Sequence, residues 1–125
     1  FYRHLNHTIF LHVAYFYGKQ GKMDKAEEFF EMSWNHSTKY YHGHPLKSEK
    51  QVINERKNFE AEFCHNKGCV IATADQYEKA EGLFLRSLDI KLELLSKNSV
   101  HPDIRLRYHA LGNVYCGLHR GSKSQ

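Results

Sequence analysis

Apolar side chains recur along this chain at the spacing of one helical face. Ala26, Phe30 and Ser33 align in MDKAEEFF (residues 23–30) and the turn after it, and Ala80, Phe84 and Ser87 align the same way around YEKAEGLF (77–84). Charged residues fill the opposite sides, so both segments are predicted to be amphipathic helices. Upstream of each runs a second pattern, Phe10-x2-Val13-Ala14-x2-Tyr17 and Cys64-x2-Lys67-Gly68-x2-Ile71, and a third copy, Tyr108-x2-Leu111-Gly112-x2-Tyr115, falls near the end. Large, large, small, large on one face lets a neighbouring helix approach over the small residue. Between Pro45 and Cys64, Val52, Phe59 and Phe63 keep helical spacing and predict an overlong helix; whether it runs unbroken into 64–72 the pattern leaves open. About five helices result, an all-α fold. Gly21 with Asp24, and Asp75 with Glu78, have the spacing of N-terminal caps. Gly18-Lys19-Gln20-Gly21-Lys22 lacks the Ser or Thr of a phosphate loop and reads as the turn between paired helices.

The order bulky residue, L-G-x2-Y, then A-x3-F on a second helix resembles the tetratricopeptide repeat. His-Pro at His44-Pro45 and His101-Pro102-Asp103 makes it most similar to the long repeats of the kinesin light chain and nephrocystin type. The intervals are longer than the plain repeat of about 34 residues: 54 from Ala14 to Gly68 and 44 from Gly68 to Gly112. Lys67 stands where the repeat expects Leu, a place where its stem can follow the interface while the ammonium stays wet. The resemblance implies an antiparallel helix-pair solenoid in a single array, with repeat one at about 7–45, an extended repeat two at about 46–102, half a repeat at about 103–118 and a polar tail at 119–125. It implies a non-catalytic scaffold that binds a protein or peptide on a concave wall lined by first helices. The polar positions expected there are His12, Tyr15, His65, Asn66, His109 and Asn113. Lysines of the carboxylate clamp found in chaperone-binding relatives are missing, which disfavours a C-terminal carboxylate as ligand. Because half a repeat lacks its second helix, Leu111, Tyr115 and Leu118 are expected to lie bare, and self-association through that C-terminal helix is a further expectation.

Composition and charge refine this picture. At 125 residues, with 41% hydrophobic and 26% charged, the chain has the makings of about one folded domain. Net charge is +4, and Arg105, Arg107, Arg120 and Lys123 against Asp103 make the last helix a basic end. A helical-repeat RNA-binding module is the rival reading, but the first hundred residues are too mixed in charge for a continuous phosphate track. No apolar run reaches membrane-spanning length, nothing at the start resembles a signal peptide, and the absence of an initial Met suggests a fragment. Three cysteines, Cys64, Cys69 and Cys116, favour reduced thiols and a cytoplasmic setting; the sequons Asn6-His7-Thr8 and Asn35-His36-Ser37 are short enough to arise by chance. Cys64-His65-x3-Cys69 does not converge on a tetrahedral site if helical, so two packed thiols and a surface imidazole are expected and no metal or cofactor. His101-Pro102-Asp103 equals the tripeptide of J-domain cochaperones, yet the repeat explains both His-Pro copies and the J-domain only one. Phe29, Phe30 and Trp34 read as core rather than as a partner groove. No nucleophile, base and orienter stand together in the sequence, so catalysis is not expected.

Overall fold

The computed structural model describes residues 2–42, 47–95 and 100–124, with side chains over 6–42, 47–95 and 100–120. Over these residues the chain is all-helical: α1 (Tyr2–Lys19), α2 (Met23–Tyr41), α3 (Glu49–Thr73), α4 (Tyr77–Leu94) and α5 (Pro102–Ser124), with no strand among them. The overlong helix and residues 64–72 are one continuous element, α3. His44-Pro45 lies outside the described residues.

Gly21 and Asp75 do not cap the helices that follow them. Both have left-handed backbone, φ 80° and 61°, and both close the helix that precedes them. The amides of Lys22 and Gly21 donate to the carbonyls of Tyr17 and Gly18, both at 3.0 Å, and those of Gln76 and Asp75 donate to Ile71 and Ala72 at 3.3 and 3.0 Å. This is the paired bonding of a Schellman closure, whereas an N-cap would need extended backbone and a side-chain acceptor. Neither α2 nor α4 has a side-chain cap.

The chain divides into two compact units, Phe1–Phe59 and Glu60–Gln125, and α3 contributes to each. In the first, α1 and α2 pack antiparallel around Leu11, Ala14, Ala26, Phe30, Tyr41 and Phe59. The Ser33 hydroxyl donates to the His7 carbonyl at 2.7 Å, and Phe29 stacks on Tyr17 at 5.6 Å and tilts toward Phe10 at 6.0 Å. The second unit is built around Ala80, Phe84, Leu88, Ile104, Leu111 and Val114, and full burial of a ring such as Phe84 stabilises by roughly 1.5 to 3 kcal/mol. Here the Ser87 hydroxyl donates to the Ala61 carbonyl at 2.6 Å, and Gly68 lies so close under Phe84 that a Cβ would be 2.9 Å from the ring. Ser33 and Ser87, and their acceptors His7 and Ala61, are each 54 positions apart. The same turn and the same serine bond are therefore made twice.

The last helix departs from expectation in two ways. It runs through Ser124, so the residues taken for a polar tail continue it. Its bare face also differs in part: Tyr115 is exposed as expected, but the two leucines are not. Leu111 is buried and Leu118 packs against the core because α4 already covers that side, whereas Tyr108, Gly112 and Tyr115 are exposed. His101-Pro102-Asp103 forms the start of α5: the imidazole Nδ1 accepts the Asp103 amide at 3.1 Å, with Pro102 as first helical residue, where a missing N–H costs nothing.

Candidate functional site

Of the polar positions expected to meet a ligand, His12 on α1 and His109 and Asn113 on α5 are exposed, Tyr15 and Asn66 are half-buried, and His65 is not accessible. His12 and Tyr15 belong to the first unit and the rest to the second; His109 and Asn113 sit one turn apart on α5. Tyr15 carries the Lys19 ammonium 5.3 Å from its ring centre. The Lys67 ammonium lies 5.9 Å from the Phe63 ring.

His65 corrects the expected surface imidazole. It is 8% exposed, with its ring 5.3 Å from Phe84, Nε2 3.7 Å from Cys69 Sγ and Nδ1 without a hydrogen-bond partner among the described residues. Burial, aided by the Arg107 charge, lowers its pKa to about 4. The neighbouring Cys64 thiol is pushed up to about 11, chiefly by burial. A neutral imidazole beside a protonated thiol is inert packing at neutral pH. Among the described residues no three His, Cys, Asp or Glu gather as a metal site.

A charge cluster of two buried cations and two half-buried carboxylates lies beside it. Arg107, 1% exposed, donates from Nε to Ser87 Oγ at 2.9 Å, from Nη1 to the Asp103 carbonyl at 3.0 Å and from Nη2 to Glu62 Oε1 at 3.0 Å. Lys91, 3% exposed, reaches Glu62 Oε1 at 2.9 Å and Asp103 Oδ2 at 3.2 Å. Burial raises the pKa of Glu62, but the Lys91 hydrogen bond and the Arg107 charge outweigh it and hold the carboxyl below its ordinary value. Asp103 is likewise raised by burial and brought below its ordinary value by Lys91 and Arg107. Two cations thus meet two carboxylates, and Arg107 leaves the basic end to which sequence had assigned it. The readable signal was its place on the stripe Ile104, Arg107, Leu111, Val114: a charge inside an apolar face needs a partner. Its chemistry is to pin α3, α4 and α5 together in the second unit.

The first unit contributes a cleft of 380 Å³ between α2 and α3, lined by Trp34, Ser37, Thr38, Tyr41, His42, Arg56 and Phe59. Trp34 stands 6.3 Å from Phe59, so only Phe30 of the Phe29, Phe30, Trp34 stripe is fully core. Ser37 and Thr38 spend their hydroxyls on the Trp34 carbonyl, at 2.7 and 3.1 Å. Aromatic walls remain, with the exposed Arg56 guanidinium and His42 at the edge, a setting for an apolar group next to an anion. No helix among the described residues is long and apolar enough to cross a membrane. Compared with known proteins, the chain matches no family model, no curated protein and no solved structure.

Proposed function

We propose that the chain is a non-catalytic helical-repeat scaffold of the tetratricopeptide kind that binds a peptide or protein segment. The observation that carries this reading is the recurrence, 54 positions apart, of one serine-to-carbonyl hydrogen bond across a helix pair, Ser33 to His7 and Ser87 to Ala61. A chain that builds the same pair twice is organised for extended surface rather than for one enclosed reaction centre. The buried cations also support it, since Arg107 and Lys91 are consumed by packing and by their half-buried partner Glu62. Ligand contacts are assigned within each unit: His12, Tyr15 and the Arg56 cleft in the first, Asn66, His109 and Asn113 in the second. A cytoplasmic setting fits the exposed free thiol of Cys116. The RNA-binding alternative loses Arg107 to Glu62 and with it part of its basic track.

The test is display selection of peptides on the 125-residue chain, followed by titration of the winners and of single-stranded RNA at two salt concentrations. Peptides with an apolar residue next to an acidic one, weakened at least tenfold by Arg56→Ala or His109→Ala, support the scaffold. RNA binding that falls steeply with salt, with no peptide selected, replaces it with the nucleic-acid reading.

A further inference from the structure

The small residue that a helix partner covers in both helix pairs is uncovered in α5. On α1, Phe10, Ala14 and Tyr17 share one face; Ala14 is fully buried and α2 places Phe29 against both flanking rings, 6.0 Å from Phe10 and 5.6 Å from Tyr17. On α3, Gly68 holds the corresponding place and lies under Phe84. Tyr108, Gly112 and Tyr115 repeat the register of Phe10, Ala14 and Tyr17 with the aromatic flanks retained. Yet a Cβ at Gly112 would meet nothing within 4 Å, and the two tyrosines are 49% and 47% exposed. A glycine flanked by two rings on an open helix face is a seat for a bulky side chain from another helix.

We infer that this face of α5 docks an acidic amphipathic helix carrying the Ala-x2-Phe-Phe arrangement of α2. The chain itself shows what covers such a face: in the first unit it is α2, whose Ala26, Phe29 and Phe30 face inward while on its exposed side Asp24, Glu27, Glu28 and Glu31 outnumber Lys25 and Lys39. Those acidic positions complement Arg105 and His109, which are exposed on α5. One aromatic of the incoming pair enters between Tyr108 and Tyr115 as Phe29 enters between Phe10 and Tyr17, and the other lies over Gly112 as Phe84 lies over Gly68. This inference rests on the repeat reading above and adds the kind of partner.

The experiment titrates a synthetic peptide of residues 22–41 into the intact chain, followed by amide chemical shifts. Saturable binding with shifts centred on Tyr108, Gly112 and Tyr115 is expected. Gly112→Leu should weaken it at least tenfold and Phe30→Ala in the peptide should do the same, while Gly82→Leu, at an exposed glycine of α4, should leave it unchanged. Replacing a glycine at an open helical position favours the helix, so the variants stay folded, which thermal melts verify. No binding at millimolar peptide, binding indifferent to Gly112→Leu, shifts confined to α1 from displacement of the native α2, or a chain already paired through α5 with a second copy each overturns the inference. Display-selected peptides that still bind in those cases leave the scaffold reading standing. Docking on α5 without any selected peptide removes that reading alone.

Discussion

Ser87 performs the same bond as Ser33 and one more. Both hydroxyls donate to a carbonyl on the partner helix, but Ser87 Oγ also accepts Arg107 Nε. Ser87→Ala therefore leaves a buried guanidinium nitrogen unsatisfied and should cost about 1 to 3 kcal/mol, against about 0.5 to 1.5 for Ser33→Ala, read from urea unfolding. His65 carries a pH dependence. Its pKa is about 4 when folded, against an ordinary value of 6.5, so between those values the unfolded chain binds the proton and the native chain does not. Stability is lost as pH falls from about 6.5 toward about 4, by up to about 3 kcal/mol, and no further share is lost below. His65→Leu installs the residue type found 54 positions earlier, the buried Leu11, and should flatten that share of the profile. An unchanged slope between pH 6.5 and 4.5 in chemical-denaturation series would show that the imidazole is solvated.

At the scale of the helix, one glycine position has opposite meanings in α3 and α5. Gly68 is pressed by Phe84, so Gly68→Ala forces the ring to move and should destabilise by about 1 to 3 kcal/mol despite the gain in helix propensity. Gly112 meets nothing within 4 Å, so Gly112→Ala should stabilise by up to about 1 kcal/mol. Thermal melts of the two variants should move in opposite directions; shifts of the same sign would contradict the packing described for α3 or α5. The turns tell the same story of local pattern and context. Gly21 and Asp75 sit where polar residues before a helix invite a capping assignment, yet each belongs to the end of the preceding helix, because only the left-handed backbone settles which helix a turn residue serves.

At the scale of the whole molecule, each unit has its own core, and the second depends on charges at positions where the first has neutral residues. Thr8 and Ser37 stand 54 positions before Glu62 and Lys91. Glu62 and Asp103 both hold folded pKa values below their ordinary ones, so their contribution is present above the unfolded carboxylate range and lost as pH falls below about 4. Hydrogen exchange between pH 5 and pH 3 should show α5 amides losing protection with acid, and Glu62→Gln should produce part of that loss already at pH 5. Equal protection of α5 across the range would mean the cluster contributes nothing to holding it. The sequence by itself determined the all-helical fold, the placing of the helical stripes and the 54-residue recurrence, because helical periodicity is carried by neighbours three and four positions apart. It could not say which edge of a stripe is covered, and so it left Leu111 and Leu118 bare where Tyr108, Gly112 and Tyr115 are. Nor could it bury Arg107, whose carboxylate partner lies 45 residues away, or withdraw His65 from the surface. Those outcomes belong to the tertiary structure, since burying a polar group is decided by what another helix brings to it.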